Sequence, residues 1–99
     1  MNLYDEKECQ IMAKLEVDRI KYMYYHAKRK FQNYLRYYYK ATDNGLLHSS
    51  YSNGMVENVA DYWIDTKKNE LSFVYNNVTG TVKLTPAVCK KIREVMEYA

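Results

Sequence analysis

From about Tyr4 to Ala41 the chain has neither proline nor glycine, and apolar residues return every three or four positions: Cys9, Met12, Ala13, Ile20, Met23, Ala27, Phe31, Tyr34 and Tyr38. At about 100° per residue these positions form one stripe, so the spacing predicts a single long amphipathic helix. The stop signal is "TDNG", where Gly45 suits a left-handed cap. A helix of that length would run for about 55 Å. A compact domain of this size has a radius of gyration of about 13 Å. The helix therefore either breaks or lays its free stripe against a second copy, and a homodimer through the first helix is one way to cover it.

The pattern then changes period. In "LLHSSYSNGMVENVADYW", Asn53 and Gly54 separate two semi-alternating runs and mark a hairpin turn of the type that needs positive φ. "YWIDTKKNELSFVY" reads as two strands around a polar turn, with Leu71, Phe73 and Tyr75 on one face and Ser72 and Val74 on the other. "NNVTGTVKLT" adds a turn and a short last strand carrying Val82 and Leu84. The expectation is an antiparallel meander of three or four strands. The closing "TPAVCKKIREVMEYA" is a helix with Thr85 as N-cap, Pro86 at its first position, and Val88, Ile92, Val95 and Ala99 facing the core. Lys90, Lys91, Arg93, Glu94 and Glu97 make its mixed, solvated face.

The predicted fold class is thus α+β: a long N-terminal helix, a meander, and a C-terminal helix packed on the sheet. Ninety-nine residues suffice for one small core, so residues 1–99 are read as a single domain. No apolar run has the length of a membrane span or the layout of a signal peptide, which points to a soluble cytoplasmic protein without membrane partners. Cys9 and Cys89 form no CxxC pair and read as two small buried thiols.

Charge sharpens the picture. The net charge of +3 conceals a strong asymmetry. Residues 1–18 carry five acids and two bases, residues 19–42 seven bases and no acid, and residues 43–99 seven acids and six bases. Within "YYHAKRKFQNYLRYYYK", residues 24–40, five lysines and arginines sit among six tyrosines. On a continuous helix Tyr24, Phe31, Tyr34 and Tyr38 face the core. Lys21, Tyr22, Tyr25, Lys28, Arg29, Arg36, Tyr39 and Lys40 line the opposite side and its edge.

Such a line has a use. Lysine and arginine neutralise phosphates and release counterions, and exposed tyrosine rings stack on bases. The same residues suit an acidic protein surface, since tyrosine and arginine are enriched at interface hot spots. An idle surface helix would ordinarily mix both signs of charge at i±3 and i±4. This one does not.

No catalytic pattern competes. His26, His48, Cys9, Cys89, Asp61 and Asp65 match no triad, zinc or phosphate-loop spacing, and Gly45, Gly54 and Gly80 are isolated turn glycines. No cofactor or metal is expected. Asp61, Tyr62, Trp63 and Asp65 form an acidic and aromatic cluster that could receive the basic helix of a second copy. The expected function is a small non-enzymatic protein engaging nucleic acid through the basic, tyrosine-rich helix face. The alternative is an inhibitor or adaptor, of the kind phages and other mobile elements carry, that binds a host protein complex through the same face.

Overall fold

A computed structural model describes residues 5–51, 60–75 and 77–97. Two helices, α1 (Glu6–His26) and α2 (Lys28–Tyr38), precede five strands, β1 (Lys40–Ala41), β2 (Leu47–Tyr51), β3 (Ala60–Asp65), β4 (Glu70–Tyr75) and β5 (Val78–Lys83), and α3 (Pro86–Glu97) closes the chain. The strands form one antiparallel sheet in the order β1-β2-β3-β4-β5. The α+β class and the meander are as expected, with five strands in place of three or four. The extra strand is the two-residue β1, too short to leave a period-2 pattern in the sequence.

Alternation decides what the sheet buries. Tyr62 and Ile64 of β3 lie opposite Phe73 and Leu71 of β4, and all four are buried. They share one core with Cys9, Ala13, Val17 and Ile20 of α1, Phe31 and Leu35 of α2, and Val88, Cys89, Ile92 and Val95 of α3. The alternate residues Asp61, Trp63 and Asp65 occupy the other face of the sheet, away from the helices. At Gly80, opposite Phe73, close approach excludes any side chain: a Cβ would lie 2.6 Å from Phe73 Cζ.

The helix starts where its chemistry dictates. The Asp5 carboxylate accepts the Glu8 N–H at 2.8 Å and Glu8 Oε1 accepts the Asp5 N–H at 3.3 Å, a reciprocal capping box that satisfies two backbone donors. It does not run on to Ala41. Ala27 leaves helical geometry at φ −152°, ψ 71°, although its N–H still donates to the Met23 carbonyl and its own carbonyl accepts the Phe31 N–H. In a straight helix Glu16 and Tyr34 would stand about 27 Å apart; their side chains meet at 2.8 Å. The chain therefore doubles back, and α2 returns along α1.

Two further expectations change with it. α2 stops at Tyr38, and Gly45, at φ 83°, serves the turn between β1 and β2 rather than capping a helix. The overhang of a helix about 55 Å long is absent as well, because Phe31 is 1% exposed in the chain's own core and the longest dimension is 40 Å. The hairpin turn at Asn53 and Gly54 lies outside the described residues, as does Ala99. No helix among the described residues is long and apolar enough to cross a membrane.

Candidate nucleic-acid interface

The bend at Ala27 divides the basic segment into two short faces. Lys21, Tyr22 and Tyr25 belong to the last turns of α1, Lys28 and Arg29 open α2, and Arg36 lies in its last turn. Tyr22 and Tyr25 are 65% and 58% exposed, and Lys28, Arg29 and Arg36 are exposed too, while Lys21 is half-buried. Rings support one another at the surface: Tyr22 and His26 lie 4.6 Å apart by centroid, and Tyr25 stands edge-on to Tyr24 at 4.8 Å. Tyr24 in turn meets Phe31 at 5.6 Å and ties the end of α1 to α2.

Two candidates are not where a continuous wheel would put them. Tyr39 is 1% exposed, and its hydroxyl donates to Glu16 at 2.7 Å, so it offers no ring for stacking. It lies one residue beyond the end of α2, in extended geometry, where helical phase no longer fixes its direction. Lys40 is on β1, not on a helix. It pairs with His48, which pairs with Trp63, so it shares the sheet face turned away from the helices. Conversely, Tyr38, expected in the core stripe, is half exposed because the last turn of α2 overhangs an open cleft.

The same phase error hid two contributors. Tyr37 is 77% exposed, the most exposed of the large apolar or aromatic residues described, and Lys30 is exposed beside it on the α2 surface. Their signal was present as a local repeat within α2: Lys30, Asn33, Tyr34 and Tyr37 follow i, i+3, i+4, i+7 and share one side of the helix. With Arg36, Tyr38 and Met23 of α1 they line an open groove of about 690 Å³.

The charges on these two faces have no ion-pair partner among the described residues. Among the described residues the ion pairs are Arg19 with Glu16, His48 with Asp61 and Lys91 with Glu94. None involves Lys21, Lys28, Arg29, Lys30 or Arg36. α2 also begins with three consecutive cations and no acid in its first turn, the reverse of what its own positive end favours.

Behind this surface lies a buried polar knot that the sequence reading passed over. Glu16 is 6% exposed and takes hydrogen bonds from Tyr34 and Tyr39 and from Arg19 at 3.1 Å. Burial holds its carboxyl above the usual range, with the two tyrosine hydroxyls and the arginine pulling the other way. Burial likewise raises the Tyr34 and Tyr39 hydroxyls, helped by the neighbouring carboxylate, so both are donors. The clue was a glutamate in the middle of the stripe Cys9, Ala13, Val17, Ile20.

Elsewhere the chemistry is sparse. His26 and His48 do not meet, one lying against Tyr22 and the other stacked on Trp63 at 4.9 Å. His48 and Ser50 both bond the Asp61 carboxylate, at 2.8 and 2.9 Å, which leaves the acid, not the imidazole, at the centre and so differs from a nucleophile relay. No group of three metal-binding side chains occurs among the described residues. Comparisons with protein families, with curated proteins and with solved structures find no match.

Proposed function

We propose that this chain is a small non-enzymatic binding protein that engages nucleic acid through the two helix faces meeting at Ala27. One observation carries the reading: Lys21, Lys28, Arg29, Lys30 and Arg36 have no carboxylate partner among the described residues, and they are interleaved with Tyr22, Tyr25 and Tyr37, each more than half exposed. Unpaired cations beside open aromatic faces are what a phosphate backbone with accessible bases requires. Tyr39 leaves the candidate set and Lys40 lies on a different surface. The test is fluorescence anisotropy of labelled oligonucleotides against wild type and an Arg29/Arg36→Glu variant. Loss of salt-sensitive binding in the variant supports the reading, and unchanged binding removes it.

A second reading, an inhibitor or adaptor that captures an acidic protein surface, has its own observation. The outer side of α1 presents Ile11 and Leu15, both about half exposed, in line with Tyr22 and Tyr25. Aliphatic side chains serve a protein interface better than a phosphate backbone. Under this reading Ile11→Asp abolishes capture of one protein and leaves oligonucleotide binding weak and unselective. Under the first reading the same variant binds oligonucleotides like wild type.

A further inference from the structure

We infer that the groove between Met23 and Tyr37 is a seat for one unstacked nucleobase, which makes the preferred ligand single-stranded nucleic acid rather than duplex. The inference rests on the nucleic-acid reading above and names the ligand class for the same surface. Three features of the groove support it.

The first is its wall. Tyr34 is held from behind, because its hydroxyl donates to the buried Glu16 carboxylate at 2.8 Å. The Tyr38 ring lies 4.8 Å from that of Tyr34, and Tyr37 stands edge-on to Tyr38 at 4.7 Å. The rings thus run in succession from a fixed buried carboxylate to the most exposed of the described tyrosines. A wall anchored in this way loses little conformational freedom when a ring stacks on it, which is the advantage of preorganisation.

The second is chemistry. Lys30 and Arg36 flank the groove, where they can hold the phosphates on either side of a base, and Asn33 between them offers an amide donor and acceptor to a base edge. Met23 lines the groove from α1 with an unbranched, adaptable side chain. The third is access, since the groove is open to solvent and offers about 690 Å³, room for one flat base to enter. In a duplex both faces of each base are already stacked, so a base reaches the Tyr37 ring only from an unpaired strand.

The experiment measures affinity for a short labelled single strand and for its duplex, with wild type, Tyr37→Ala, Tyr37→Phe and Arg29/Arg36→Glu. The expected result is tighter binding of the single strand, a loss of about tenfold for that ligand in Tyr37→Ala, retention in Tyr37→Phe, and little change for the duplex. If single strand and duplex bind equally and Tyr37→Ala changes neither, the base seat is overturned while salt-sensitive binding lost in the arginine variant still upholds the broader reading. If neither oligonucleotide binds at low salt, both are overturned.

Discussion

The Glu16 carboxylate accepts the Tyr39 hydroxyl at 2.7 Å across 23 positions of sequence, with both side chains buried. With the bond from Tyr34, this contact ties α1 to the chain that returns along it after the break at Ala27. Removing the acceptor leaves the buried Tyr39 hydroxyl without its partner and the Tyr34 hydroxyl with only the contact from Arg19 at 3.4 Å. Glu16→Ala is expected to lower stability by about 3 kcal/mol, and Glu16→Gln, which keeps an acceptor, by about 1 kcal/mol. Urea denaturation of the three proteins measures both.

The same carboxyl sets a pH dependence. Its folded value is raised above the ordinary 4.5, so between those two values the folded protein binds more protons than the unfolded chain. Stability contributed by this group is therefore highest at low pH and falls as pH rises through that interval. Relative to Glu16→Gln, the wild type should lose ground from about pH 4.5 upwards, in melting curves taken at successive pH values.

Tyr39 and Tyr37 should separate stability from binding. Tyr39→Phe removes a buried bond to a charged acceptor and is expected to cost about 2 kcal/mol while leaving oligonucleotide affinity unchanged. Tyr37→Ala at an exposed site should shift stability by less than about 0.5 kcal/mol while weakening single-strand binding about tenfold. A Tyr39→Phe variant with normal stability and weakened binding would reverse these assignments.

How much of this was legible in the sequence follows from where helical phase holds. Within α1 and α3, and along β4, periods of 3.6 and 2 placed Cys9, Ala13, Ile20, Val88, Ile92, Leu71 and Phe73 in the core correctly. The wheel failed where Ala27 interrupts it without a glycine or a proline. The folded-back arrangement carries long-range bonds from Tyr34 and Tyr39 to Glu16 and core packing of Phe31 and Leu35, and no local propensity at Ala27 announces it. Tyr37, Tyr38, Tyr39 and Lys40 were misplaced or overlooked because they lie beyond that break or beyond the end of α2.

Two substitutions test the packing that positions the interface. Gly80→Ala drives a Cβ into the fully buried Phe73 ring and is expected to cost about 1 to 3 kcal/mol, partly recovered when Phe73→Leu is added. Ala27→Pro removes an N–H that bonds Met23 and forces φ away from −152°, with an expected loss of about 3 kcal/mol or more. Thermal melts report both. A Gly80→Ala variant as stable as wild type would mean that Phe73 has room to move.

The most direct measurement of the basic surface is a titration of a labelled single-stranded oligonucleotide over a series of salt concentrations. If the exposed cations of α1 and α2 neutralise about four phosphates, log affinity for a single strand falls against log salt with a slope of about −3. In Arg29/Arg36→Glu the slope should shrink along with the affinity. An affinity that does not change with salt would contradict the nucleic-acid reading and assign the tyrosine and arginine surface to a protein partner.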